Sequence, residues 1–244
     1  MDLLLDCGNT RLKWAWVDEQ GAIVARGSDA DYHPPALSWR PARIALAAVR
    51  EGAAVQALAE WASLQCPEAF HRLRTPRALC GLTIAYEEPV RLGVDRWLAM
   101  LAAWRLIGQP QHRPLLVVDC GTAVTLDLVD ADGGHRGGAI VPGLRLMAES
   151  LIGATSGIRP RPDDQSAGFP GRDTGACVQS GALMAVTGAL REAIAHSDGI
   201  CPGAAVIMTG GDADGLRTPL GNERIEWWPD LVFQGMREML ACCE

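Results

Sequence analysis

One feature limits the folds open to this chain more than any other: it carries a repeat. Leu3-Leu4-Leu5-Asp6-Cys7-Gly8 returns as Leu116-Val117-Val118-Asp119-Cys120-Gly121, nearly half the chain further on. Each copy is an apolar strand closed by an Asp-Cys-Gly turn. Each then runs through a Thr-containing turn into a second strand that ends in Val-Asp (Val17-Asp18, Val129-Asp130). A third strand runs into glycine at Thr209-Gly210-Gly211-Asp212. Turns call for Asp and Gly on their own account, so a single copy would say little. A matched pair at half-length predicts two duplicated α/β domains, 1–112 and 113–244, facing each other across a cleft.

The pattern along the chain fits such halves. Leu12 to Val17, a turn at Asp18 to Gly21 and Ala22 to Ala25 read as strand, turn and strand. Arg43 to Val49 reads as a strand. Glu51 to Leu64 and Val94 to Ile107 read as helices, the second stopped by Gly108 and Pro110. In the second half, strands are expected at Leu115 to Val118, Val124 to Val129, Ala139 to Val141, Ala204 to Met208 and Ile225 to Trp228. Helices are expected from Pro142-Gly143 to about Leu151, from Gly175 to about His196 behind Asp173-Thr174, and from Pro229 through Leu240. Three prolines mark Gly157 to Arg172 as a surface loop.

Composition removes several classes. With 48% hydrophobic and 21% charged residues, the 244-residue chain can bury a core and is not disordered. No apolar run reaches the roughly 18 residues of a membrane span, and Met1-Asp2-Leu3 lacks the basic start of a secretory signal. A net charge of −7 argues against nucleic acid as the main partner. The eight cysteines include no CxxC spacing and lie in apolar segments, so they read mostly as reduced core thiols of a cytoplasmic protein.

The turns suggest chemistry. Glycine after a strand leaves backbone N–H groups open to cradle a phosphate. Asn9, Thr10 and Thr122 add donors, and Lys13, the single lysine of the chain, adds a point charge. Asp6 and Asp119 either cap their turns or hold a hard cation such as Mg²⁺ that bridges phosphates. A P-loop is excluded, a dinucleotide fingerprint is missing, and neither H-E-x-x-H nor G-x-S-x-G occurs. In Gly93-Val94-Asp95-Arg96, Asp95 reads first as a carboxylate at a helix N-terminus. Its functional reading is a base for an alcohol, with Arg96 clamping a substrate anion. Thr174 either caps its helix or donates to a ligand there. Tyr86 reads as an ordinary loop aromatic, and His135, in a glycine-rich turn, as solvated.

Asp6 to Lys13, Gly93 to Arg96, Asp119 to Ala123, Gly137 to Gly143 and Thr209 to Asp212 occur in an order that resembles the type III pantothenate kinases, a group that includes Bvg accessory factor-like proteins. The resemblance implies the actin/hexokinase/Hsp70-like (ribonuclease H-like) α/β fold, with duplicated domains around a central nucleotide cleft. It implies ATP-dependent phosphorylation of pantothenate, the first step toward coenzyme A. Asp6, Cys7, Gly8, Asn9, Thr10, Arg11, Leu12 and Lys13 would then bind ATP, with Thr122 and the adenosine-side turn Gly210-Gly211. Tyr86, Gly93, Val94, Asp95, Arg96 and Thr174 would hold pantothenate, Asp95 taking the hydroxyl proton. Asp119 would bind a monovalent cation, K⁺ or NH₄⁺, besides the Mg²⁺ that accompanies ATP. A cytoplasmic homodimer is implied, with the pantothenate site near the subunit interface. Two other readings stay open: a different small-molecule kinase of this fold, and a nucleotide-binding regulator without turnover.

Overall fold

The computed structural model describes residues 1–160, 168–221 and 224–242. In chain order the elements are β1 (Asp2–Cys7), β2 (Leu12–Val17), β3 (Ile23–Asp29), β4 (Arg43–Ala48), α1 (Ala53–Gln65), β5 (Phe70–Arg72), β6 (Ala78–Leu79), β7 (Leu82–Thr83), α2 (Val94–Ala103) and the single turn α3 (Gln109–Gln111). They continue with β8 (Leu115–Cys120), β9 (Ala123–Val129), β10 (His135–Pro142), α4 (Leu144–Ala154), α5 (Thr174–Ile200), β11 (Ala205–Thr209), α6 (Ala213–Leu220), β12 (Ile225–Trp227) and α7 (Leu231–Cys242). Part of the expected loop from Gly157 to Arg172 lies outside the described residues.

The repeat becomes two sheets of the same plan. The first has the order β3-β2-β1-β4-β5 and the second β10-β9-β8-β11-β12. In each, the strand that carries Asp-Cys-Gly is central. It pairs antiparallel with the strand after its turn and parallel with one that arrives later. Contacts divide the chain into two compact units. One holds Met1–Pro110, Gly133–His135 and Asp230–Glu244; the other holds Gln111–Asp132 and Arg136–Pro229. This differs from a single cut at 112/113, because the last helix and one short turn join the first unit.

In the first unit, strand alternation sends Leu3, Leu5, Cys7, Leu12, Trp16, Ile44 and Leu46 to one face, where Val55, Leu58 and Ala62 of α1 cover them. The opposite face carries Leu4, Asp6, Lys13, Ala15 and Val17. α2 is apolar nearly all round and therefore buried, and Asp95 is its one residue left partly open. α2 passes into a π-turn at Trp104–Gly108, so the expected helix to Ile107 changes its geometry before it stops. α7 lies against α2 so closely that a Cβ on Gly235 would come 2.0 Å from the Leu98 carbonyl oxygen. Arg26–Asp230 and Arg105–Glu238 pairs add to its seat.

In the second unit, Leu116, Val118, Cys120, Val124, Leu126, Val206 and Met208 form the apolar face beneath α5 and α6, which contribute Val186, Leu190, Ile194 and Leu216. α5 begins where the Asp173 carboxylate accepts the Ala176 N–H at 2.7 Å. Asp173 is thus the cap, and the Thr174 side chain is left exposed.

One cysteine pair departs from the expectation of mostly reduced core thiols. Cys80, in the β6–β7 turn, is joined to Cys242 at the end of α7. Cys7, Cys120 and Cys201 are buried thiols, Cys66 is half-buried and Cys177 exposed. Proximity of Cys80 and Cys242 depends on where α7 docks, which their spacing in sequence does not reveal.

Candidate functional site

In the first unit, the turn after β1 is a short loop closed by Gly8 N–H to the Arg11 carbonyl at 3.2 Å. Two residues overlooked in the sequence hold it. The Tyr32 hydroxyl donates to the Gly8 carbonyl at 2.5 Å, and Arg50 lies over the Tyr32 ring and reaches the Asn9 carbonyl. Asn9, Thr10, Arg11 and Lys13 are exposed, whereas Cys7 and Leu12 turn their side chains into the core. Those two can therefore meet a phosphate only through backbone. Asp6 is 7% exposed, directly opposite Lys13 in the ladder.

Burial and the neighbouring Asp6 carboxylate push the Cys7 thiol up to about 12, against smaller lowering by Arg72 and Arg50. Cys120 is likewise raised to about 12 by burial, Asp119 and Asp212. Neither is a nucleophile at neutral pH, because only a thiolate attacks. They serve as small apolar residues under their turns.

In the second unit, three expected segments meet. Gly143 N–H donates to the Thr122 carbonyl at 2.9 Å, and a Cβ there would stand 2.3 Å from the Gly121 carbonyl oxygen. Gly210 has φ of +94°, and its Cβ would fall 2.3 Å from the Cys120 carbonyl oxygen and 2.6 Å from Asp119 Oδ1. The Asp212 N–H closes the assembly onto the Cys120 carbonyl at 3.0 Å. Only glycine lets these backbones approach so nearly. Asp119 and Thr122 are half-exposed at this junction. Its polar atoms near Asp119 are oxygens and backbone N–H groups, a set that suits a hard cation and an anionic oxygen. Thr174 lies elsewhere in the unit, in a cleft with Ile158, Gly171, Arg172 and Cys177.

The remaining candidates return to the first unit. Gly93 is the N-cap of α2 and its carbonyl takes the Trp97 N–H. Asp95 therefore sits in the first turn, with Oδ1 accepting the Arg96 N–H at 2.7 Å. That carboxylate folds back over Gly93, where a Cβ would stand 2.6 Å from Oδ1. Val94 is buried beneath it. Arg96 is 6% exposed and donates from Nη1 to the Tyr86 hydroxyl at 3.2 Å, with its guanidinium 5.9 Å from that ring's centre. Tyr86, with no motif around it in sequence, is thus placed beside Arg96. His135, expected to be solvated, is 4% exposed and stacks on Tyr86. The turn that carries it docks on β7, which shields it from water.

A family profile described as type III pantothenate kinase matches residues 2–196, a span that includes the turns at Gly8, Gly93, Gly121 and Gly143. A type III pantothenate kinase of Alkalilimnicola ehrlichii is 36% identical over 97% of this chain and 96% of its own. One from Pseudomonas aeruginosa PAO1 is 37% identical over 99% of both. Among solved structures, a Baf family protein of Campylobacter jejuni shares the fold with a TM-score of 0.60 at 20% identity, covering 98% of this chain and 97% of that one. A ROK family glucokinase of Streptomyces griseus shares it at 0.50 and 14%, covering 98% of both. The paired sheets are those of the actin/hexokinase-like α/β kinases. Profile and near full-length relatives agree with the turns built above: the chain belongs to the type III pantothenate kinase family.

Proposed function

We propose that this protein transfers the γ-phosphoryl group of ATP to the primary hydroxyl of pantothenate, the first step toward coenzyme A. Family membership supports the reaction class. One observation carries the assignment of the base: Asp95 is the single α2 residue that is not buried, and it stands beside the buried Arg96. In phosphoryl transfer the protein contributes chiefly position and charge, with one carboxylate taking the hydroxyl proton. Asp95 takes that role. Arg96 offers a planar fork to the pantothenate carboxylate beside Tyr86, Gly93 and Val94, and Thr174 is proposed as a further pantothenate contact.

Asp6 to Lys13, Thr122 and Gly210-Gly211 hold the nucleotide in this reading, through open N–H groups and the Lys13 charge. Asp119, beside the Cys120, Gly121 and Thr122 carbonyls, fits a K⁺ or NH₄⁺ ion, and Asp6, a carboxylate at the end of β1, would face the Mg²⁺ that neutralises the phosphates. Homodimerisation is supported by α4, which buries none of its residues fully and leaves Leu146 and Leu151 exposed. No helix among the described residues is long and apolar enough to cross a membrane. The reading places the enzyme in the cytoplasm, with no nucleic-acid partner.

The test is ADP release, coupled to a spectrophotometric readout, across a panel of alcohols that includes pantothenate and neutral sugars. Turnover restricted to pantothenate is expected. Turnover of a sugar instead, or nucleotide binding without turnover, would overturn the reading.

A further inference from the structure

We infer that His135 is a positioning residue of the acceptor site, holding Tyr86 and through it Arg96 in the orientation that receives pantothenate. This rests on the kinase reading above. His135 opens β10 in the second sheet, yet Gly133–His135 pack with the first unit. Their seat is specific. The Gly133 carbonyl accepts the Thr83 N–H at 2.9 Å, and Gly134 bridges to Thr83. Gly133 has φ of +86°, and a Cβ there would stand 2.2 Å from the Gly81 carbonyl oxygen and 2.8 Å from the Trp104 ring. A side chain at this point would lift the turn away.

So seated, the turn delivers His135 to Tyr86. The two rings stack with centroids 6.2 Å apart and planes 19° from parallel. The Ala85 N–H reaches His135 Nδ1 at 3.5 Å, on the residue just before Tyr86. His135 thus touches both the backbone and the ring of this segment. Tyr86 in turn meets Arg96, the neighbour of Asp95. His135 itself is buried, and Tyr86 is the neighbour through which it reaches Arg96. An interaction that orients a remote anion-binding group acts on ground state and transition state alike, so it alters KM more than kcat.

The experiment compares wild type with His135→Ala, His135→Phe, Tyr86→Ala and the His135→Ala/Tyr86→Ala double variant. KM for pantothenate, KM for ATP, kcat and thermal melting are measured for each. His135→Ala is expected to raise the pantothenate KM about tenfold, with kcat and the ATP KM within about threefold. His135→Phe keeps a planar ring and recovers most of that loss. The double variant is no worse than Tyr86→Ala alone, because two residues that act as one unit are not additive. An unchanged pantothenate KM in His135→Ala overturns the inference. So do additive effects in the double variant, or a parallel loss of kcat and both KM values that follows a fall in melting temperature. Should wild type itself fail to phosphorylate pantothenate, the kinase reading falls first and this inference with it.

Discussion

Lys13 stands directly across from Asp6 in the β1–β2 ladder. Residues so paired share one face of the sheet, with Cβ atoms about 5 Å apart. Thr125 holds the same place across from Asp119 in β8–β9. The duplicated framework therefore presents a carboxylate twice and a cation once. This asymmetry gives one turn a positive charge and leaves the other with a hydroxyl in its place.

Lys13→Ala is expected to lower kcat/KM for ATP by about 10- to 100-fold, the worth of one charge-assisted contact. Lys13→Arg should recover part of this, since charge is retained while reach and geometry change. Steady-state kinetics at varied ATP decides it. Equal values in Lys13→Ala and wild type would take the lysine out of the nucleotide site.

Asp95→Asn keeps the shape and the contact to the Arg96 N–H but cannot accept a proton. Turnover should fall by ~10²-fold or more. Nucleotide affinity, read by calorimetry or a fluorescent ATP analogue, should hold, because Asp95 lies in the first turn of α2, apart in sequence from the Gly8, Gly121 and Gly210 turns proposed to hold the nucleotide. A variant as fast as wild type would leave Asp95 as a helix-end carboxylate alone.

Much of this arrangement is legible in the sequence because it is local. Leu3-Leu4-Leu5 and Leu116-Val117-Val118 must be strands, and glycine after Asp-Cys must turn the chain. Hydrophobic periodicity finds α2 and α5 for the same reason. What escapes is set by tertiary contact. α7 is a visible helix, but its tertiary packing, with Gly235 against the Leu98 carbonyl, is what assigns it to the first unit. β5, β6 and β7 are two or three residues long and exist because neighbours pair with them. His135 looks solvated beside Gly133 and Gly134, yet those glycines are what let its turn dock on β7 and Gly81. Tyr32 and Arg50 reach the Gly8 turn from distant segments and carry no motif.

Asp119, at the meeting of the Gly121, Gly143 and Gly210 backbones, gives a prediction about ions. Replacing K⁺ by Na⁺ should lower ADP release, and Asp119→Asn should remove most of the difference between the two salts. Loss of one charged contact is worth roughly tenfold in rate. Removing divalent metal with a chelator should stop turnover in either salt. Equal rates in K⁺ and Na⁺ would leave Asp119 to the Gly210 turn alone.

The buried thiols set an alkaline limit on stability. Cys7 and Cys120 shift from 9.0 to about 12 in the fold. Below pH 9 both are protonated whether the chain is folded or not, and their contribution is intact. Between pH 9 and about 12 the unfolded chain loses these protons while the folded chain keeps them, so stability falls as pH rises. The slope is about 1.4 kcal/mol per pH unit for each thiol. Urea melts from pH 8 to pH 11 should therefore be flatter for Cys7→Ala/Cys120→Ala than for wild type. Parallel profiles would mean that the thiols ionise as freely inside as outside.

The Cys80–Cys242 bond tests what holds α7. It spans 162 residues of sequence, and chain-entropy arguments give such a loop about 5 kcal/mol at most. The bond is not the helix's sole anchor, since Gly235 packs on Leu98 and Arg26 and Arg105 pair with Asp230 and Glu238. In a reducing cytoplasm the two cysteines would stand as thiols, and α7 would depend on this packing alone. Adding a dithiol reductant is therefore expected to lower the melting temperature while the folded chain keeps turnover below the melt. Cys80→Ser/Cys242→Ser should melt where reduced wild type does and ignore the reductant. A reductant that leaves the wild-type melt unmoved would mean the pair contributes nothing, whereas one that abolishes turnover in the cold would make the bond necessary to seat the β6–β7 turn under Gly133.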